Sequence, residues 1–182
     1  MQVKMDRKEQ DQQTRQVSDM FRAKILVYAI TIEQHLTAVI IDRFTKNQRE
    51  KVNFILYFEK TSFERKIELV KLFLKANYPH LFKEYEKTFI LLNQIRDIRN
   101  RLSHHNSSYA NDNKKTVFVL SPNVVKLAKN RKGIWVGTND EKFSIHRMLG
   151  LMQMVEKCDS EVREMVEKIK NFQEIKTYNP GG

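Results

Sequence analysis

Gln94-Ile95-Arg96-Asp97-Ile98-Arg99-Asn100-Arg101-Leu102-Ser103-His104-His105 sets apolar spacing and a dense polar cluster side by side. On a helix turning about 100° per residue, Leu91, Ile95, Ile98 and Leu102 form one narrow stripe, which predicts a core-facing side. Arg96, Asn100 and His104 then share the far side. Arg99 stands at the edge of the stripe, where its stem packs and its guanidinium turns outward. Asn100 and His104 are i,i+4 neighbours, whereas Arg99 and His104 diverge by roughly 140° on one ideal helix. A single helix therefore does not readily aim both at one atom, but a second copy related by a two-fold axis would bring them to a shared cleft.

Outward from this stretch the chain reads as mostly helical. A first long helix is expected from about Val17 to Phe44, on the recurrence of Phe21, Ile25, Tyr28, Ile32, Leu36, Val39 and Ile40. Asn47 to Lys60 is ambiguous between a short helix and a buried extended piece, with a helix or an irregular segment favoured. Thr61-Ser62 fits the start of the next helix, and Asn77-Tyr78-Pro79 its end, since proline disfavours the helical backbone just before it. The helix carrying the polar cluster is then expected from about His80 or Leu81 to Ser103. Past His105, Asn106 to Asn113 has loop composition. Thr116–Leu120, Val124–Ala128 and Gly133–Val136 read as short strands, with turns at Ser121-Pro122-Asn123 and Asn130-Arg131-Lys132-Gly133. Ser144 is the expected cap of a last helix, about Ile145 to Glu174. The expectation is a mainly-α single domain, residues 1–182, of four to five helices with a small β-hairpin or three-stranded insert at about 106–143. A polar extension of about 1–16, which either extends the first helix or frays, and a tail at 176–182 flank it.

Composition bounds the function. Lys and Arg number 33 against 22 Asp and Glu, a net charge of +11, which favours a polyanionic partner, nucleic acid before a membrane surface. Cys158 is the sole cysteine, so no disulfide framework or cysteine zinc site is expected, and a reducing cytoplasm fits. The most apolar run, Ile25 to Ile41, is interrupted by Glu33-Gln34-His35, which argues against a membrane span. His35, His80, His104, His105 and His146 lack metal-ligand spacing, and there is no glycine-rich phosphate loop or nucleophile elbow, so no metal or cofactor is expected. Lys114, Lys115, Lys126, Lys129, Arg131 and Lys132 surround Trp135 in the insert, a pattern that either grips phosphates or simply forms a solvated hairpin.

Arg99-Asn100-Arg101-Leu102-Ser103-His104 resembles the Arg-Asn-x-x-x-His signature of the HEPN superfamily, the higher-eukaryote and prokaryote nucleotide-binding domains. A diffuse likeness runs from about Asp19 to His105, through Ile32-Glu33-Gln34-His35-Leu36 and Ser62-Phe63-Glu64-Arg65-Lys66-Ile67-Glu68-Leu69, and again over the C-terminal helix. The resemblance implies a HEPN-like helical bundle and a homodimeric, metal-independent endoribonuclease. Many members are toxins, which have cognate antitoxin or regulatory partners, or anti-phage effectors. Others are inactive dimers that bind RNA, nucleotide or protein, which is the competing reading here.

The chemistry agrees with the residue types. RNA carries its own nucleophile, the 2′-hydroxyl beside the scissile phosphate. Cleavage needs a proton carrier working near neutral pH, which histidine supplies, and a guanidinium to neutralise phosphorane oxygens. The resemblance assigns these roles to His104 and Arg99, with Asn100 orienting, and implies 2′,3′-cyclic phosphate and 5′-hydroxyl ends. Arg96, Arg101 and His105 are candidate substrate contacts. Glu33, mid-helix among apolar neighbours, reads either as a salt-bridged face residue or as a carboxylate that pairs with an Arg of the motif and fixes its rotamer.

Overall fold

The computed structural model describes residues 7–45, 47–112, 115–122, 126–130, 133–137 and 140–178. Among them six helices and five strands follow in the order α1 (Arg7–Phe44), α2 (Gln48–Glu59), α3 (Phe63–Asn77), α4 (Pro79–Glu84), α5 (Glu86–His104), β1 (His105–Asp112), β2 (Lys115–Pro122), β3 (Lys126–Asn130), β4 (Gly133–Gly137), β5 (Glu141–Phe143) and α6 (Ile145–Tyr178). The mainly-α class expected from apolar periodicity holds.

The helix starts follow local chemistry. Asn47 opens α2 by a reciprocal cap: its Oδ1 accepts from Glu50 N at 2.9 Å and its Nδ2 donates to Glu50 Oε1 at 3.0 Å. Ser62 Oγ accepts from Arg65 N, and Ser144 Oγ from Arg147 N, each at 3.2 Å. Pro79 ends α3 and then serves as the first residue of α4, where its missing N–H costs nothing.

Three expectations need correction, and a fourth is decided. Of the two alternatives for the polar segment before Val17, the helix extends through it and begins at Arg7 rather than at Val17, because Thr14 and Ser18 continue its buried stripe of Phe21, Ile25, Ala29, Ile32 and Leu36. The helix ending at His104 does not start at His80. Tyr85 leaves helical geometry at φ −99°, ψ 15°, and divides α4 from α5. The polar run after His105 is strand rather than loop, because β1 pairs along its whole length with β2, from His105↔Pro122 to Asp112↔Lys115. Ser121 and Pro122 accordingly finish β2 instead of forming a turn. The other expected insert strands appear as β3 and β4, paired from Lys126↔Gly137 to Asn130↔Gly133, while Asn123 to Val125, Arg131 and Lys132 lie outside the described residues.

Contacts divide the chain into two compact units: residues up to Leu26 with Asp97–Gln153, and Val27–Arg96 with residues from Met154 onward. In the first, β2 is the middle strand of an antiparallel sheet ordered β1-β2-β5. Val117, Phe118, Val119 and Leu120 are all buried, so both faces of β2 are covered. Phe21, Phe118 and Phe143 form an aromatic cluster with ring centroids 5.7–6.4 Å apart. In the second, Ile67, Val70 and Leu74 of α3, Leu92 and Ile95 of α5, and Val155, Cys158, Val162 and Val166 of α6 are buried. By length and composition α1 is also the one described helix able to cross a membrane, with 39% of its most apolar window buried in this protein.

Candidate functional site

In the first unit α5 delivers Ile98 and Leu102 to the core, as the apolar stripe predicts, and this turns Asn100 and His104 out to solvent. Arg99 is half-buried, and its Nη1 donates to Asn100 Oδ1 at 3.1 Å. That bond swings the guanidinium toward the asparagine and fixes the amide with its oxygen occupied. Among the described residues the His104 side chain makes no hydrogen bond or ion pair, so both ring nitrogens are open to a ligand. The structure thus links Arg99 to Asn100 directly, and the one-turn spacing of α5 sets Asn100 and His104 on a common exposed face.

The other sequence candidates are placed differently. Arg101 donates from Nε to Asp97 O at 3.2 Å and from Nη1 to Glu141 Oε2 at 2.5 Å. Arg147 grips the other oxygen of Glu141, also at 2.5 Å, and stacks over the Phe143 ring at 4.4 Å. Arg101 is therefore engaged in fastening β5 to α5. Arg96 belongs to the second unit and pairs with Glu64 of α3 at 3.0 Å. His105 is no longer helical: it opens β1, half-buried, with Nδ1 enclosed and unpartnered, because α5 stops at His104.

Glu33 does not meet an arginine of the motif. Its Oε1 accepts from Lys66 Nζ of α3 at 2.7 Å, with the lysine side chain 5% exposed and the glutamate 20%. The pair forms part of a groove of about 520 Å³ walled by Ile30, Ala38, Ile41 and Ile55.

Sequence reasoning missed the residues that hold the end of α5 in place. Arg22 of α1 donates from Nη2 to the Leu102 carbonyl at 3.4 Å and from Nη1 to Ser107 Oγ at 2.8 Å. It thereby occupies one of the four carbonyls that the end of a helix leaves without a partner. One turn earlier, Ser18 Oγ and the Tyr109 hydroxyl are 2.7 Å apart, and Arg15 lies over the Tyr109 ring at 5.3 Å. Arg15, Ser18 and Arg22 lie on one ridge of α1, but the turns around them, Glu9 to Gln16, Asp19 and Lys24, are just as polar, so nothing in the sequence singled the ridge out.

Cys158 offers no nucleophile. Burial pushes its thiol up to about 12, with the carboxylates of Glu161 and Asp159 adding to the shift. Among the described residues no three His, Cys, Asp or Glu side chains gather as a metal site would need. Comparison with known proteins leaves the geometry to stand alone: no family model, no curated protein and no solved structure matches the chain.

Proposed function

We propose that the protein is a metal-independent endoribonuclease of the HEPN type, acting as a homodimer. The observation that supports this most is the Arg99–Asn100 hydrogen bond of 3.1 Å beside a solvent-facing His104, on a chain of net charge +11. In the reaction the RNA 2′-oxygen loses its proton and attacks phosphorus. The bond from phosphorus to the 5′-oxygen breaks, and the leaving oxygen takes up a proton. His104 is the side chain suited to proton transfer, Arg99 neutralises the phosphorane oxygens, and Asn100 holds the guanidinium. The dimer enters because Arg99 and His104 diverge by roughly 140° around one helix, so the imidazole of one copy works with the guanidinium of the other.

The test is incubation of purified protein with mixed RNAs in EDTA, followed by identification of the new ends. Cleavage leaving 2′,3′-cyclic phosphate and 5′-hydroxyl ends is expected. His104→Ala and Arg99→Ala should abolish it with the helical circular dichroism unchanged, while His105→Ala, altering a strand residue, is milder. Wild-type cutting by His104→Ala in a contaminant-controlled assay defeats the catalytic reading. Salt-sensitive binding without cutting would make the protein an RNA-binding dimer instead.

A further inference from the structure

The second unit contains a groove of about 310 Å³ formed by the end of α1, by α2 and by the start of α3. Its size is at the lower end of the range of small-ligand pockets, which suits a single nucleotide. Phe44, Phe54, Tyr57 and Phe58 make up the aromatic part of its wall, Ile40 and Leu69 the aliphatic part, and Thr61 and Arg65 complete it. The rings are ordered among themselves. Phe44 and Phe54 are parallel to within 5° with centroids 6.4 Å apart, and Phe54 and Phe58 to within 22° at 5.4 Å. Tyr57 meets Phe58 edge-on at 5.7 Å. Phe58 anchors the set in the core, whereas Phe44 is 57% exposed and Tyr57 71% exposed.

Two features distinguish this groove from an ordinary exposed apolar face. The first is that Phe44 and Tyr57 are the exposed part of the wall and present flat aromatic surfaces, which suit planar ligands better than aliphatic ones. The second is charge. The Arg65 guanidinium is exposed and makes no hydrogen bond, ion pair or ring contact among the described residues. Its backbone is fixed by the Ser62 cap, so its stem starts from a rigid point. Residues 42–66 hold seven basic residues against four acidic ones; Lys51 and Lys66 are taken up by Asp42 and Glu33, so the charge offered to the groove is that of Arg65 in its lining. An aromatic platform beside an unpaired guanidinium is how proteins hold single-stranded nucleic acid: bases stack on the rings and a phosphate meets the guanidinium.

We infer that the Phe44–Phe54–Tyr57 groove binds a base of single-stranded nucleic acid, with the adjoining phosphate on Arg65. This site is separate from the α5 motif and requires no cleavage. Nothing in it reads the 2′-hydroxyl, so RNA and DNA single strands of equal length bind alike, whereas duplex, whose bases are already stacked, binds less.

The test uses the full chain and a short 2′-O-methyl oligouridylate bearing one 2-aminopurine, which cannot be cleaved and whose bases stack little among themselves. Because cutting is not read, failure of the nuclease reading leaves the measurement intact. Stacking should quench the fluorescent base. Tyr57→Ala should weaken binding about tenfold and remove much of the quenching, whereas Tyr57→Phe keeps both. Arg65→Gln should lower the slope of log affinity against log salt by about 0.7, the share of one single-strand phosphate. Tyr57 and Arg65 are both exposed, so their variants should keep the wild-type circular dichroism. Unchanged affinity and quenching in Tyr57→Ala, or an unchanged salt slope in Arg65→Gln, would overturn the inference. So would sedimentation showing that Tyr57→Ala dissociates an oligomer, because the face would then be an interface between copies.

Discussion

Lys66 is a charged side chain almost without water, and Glu33 is what makes that tolerable. An ammonium left alone at such a position loses its solvation with nothing in return, whereas the more exposed glutamate keeps part of its hydration. The two deletions should therefore be unequal. Glu33→Ala is expected to cost about 3 kcal/mol, a fall of roughly 6–12 °C in the thermal midpoint for a chain of this size. Lys66→Met should cost less, and combining it with Glu33→Ala should recover part of the loss. A far-UV melt of the three variants checks this, and a Glu33→Ala midpoint within about 2 °C of wild type would refute it. The same pair shows why the partner of Glu33 was not legible in the sequence. Apolar neighbours do announce a constrained carboxylate, but 33 basic residues compete for it and spacing does not choose among them. The exposure of Asn100 and His104 was legible, since it follows from the helical period once Ile98 and Leu102 are assigned to the core.

Local start and stop chemistry placed α3 and α6, although the Asn47 cap of α2 went unread and left that segment ambiguous, and the elements defined by a neighbour were not placed. Ser62, Pro79 and Ser144 act within a turn of where they stand, so local sequence suffices. The strand β1, Asn- and Ser-rich, has little intrinsic preference for extended backbone and owes it to the buried β2 beside it, a tertiary effect that propensity does not see. The junction of α5 and β1 is a consequence of that pairing. Helix becomes strand between His104 and His105 with no intervening loop, and Arg22 bridges the two elements through the Leu102 carbonyl and Ser107. On the proposed function, Arg22 acts as a positioning residue for His104 by holding the helix end that carries it. Arg22→Ala should speed amide hydrogen exchange over residues 103–107 and lower kcat about tenfold with KM little changed, as a small misplacement of a catalytic group does. Arg22→Lys should restore part of the rate, since an ammonium reaches one of the two acceptors but not both with the same geometry. Unchanged exchange at those amides would remove Arg22 from this role.

At the scale of the whole molecule, a net charge of +11 favours polyanions before a particular contact forms, so the proposed RNA binding should be strongly dependent on salt. That field does not distinguish a monomer that binds from a dimer that cuts, whereas the assignment of Arg99 and His104 to different copies does. In a composite site the two catalytic groups of each cleft come from different protomers. A mixed dimer of Arg99→Ala with His104→Ala then has one cleft lacking both groups and one cleft that is complete. With random pairing, half the dimers are mixed and half of their clefts are intact, so co-expressed variants should regain roughly a quarter of wild-type cleavage. Each variant alone should be inactive, and a solution mass near twice 21.7 kDa is required for either result to bear on the question. If both groups act within one protomer, every cleft in every pairing lacks one of them and mixing restores nothing. A dimer of the right mass whose mixed variants stay dead would therefore reject the shared cleft while leaving the catalytic roles of the two residues open to the single-variant assay.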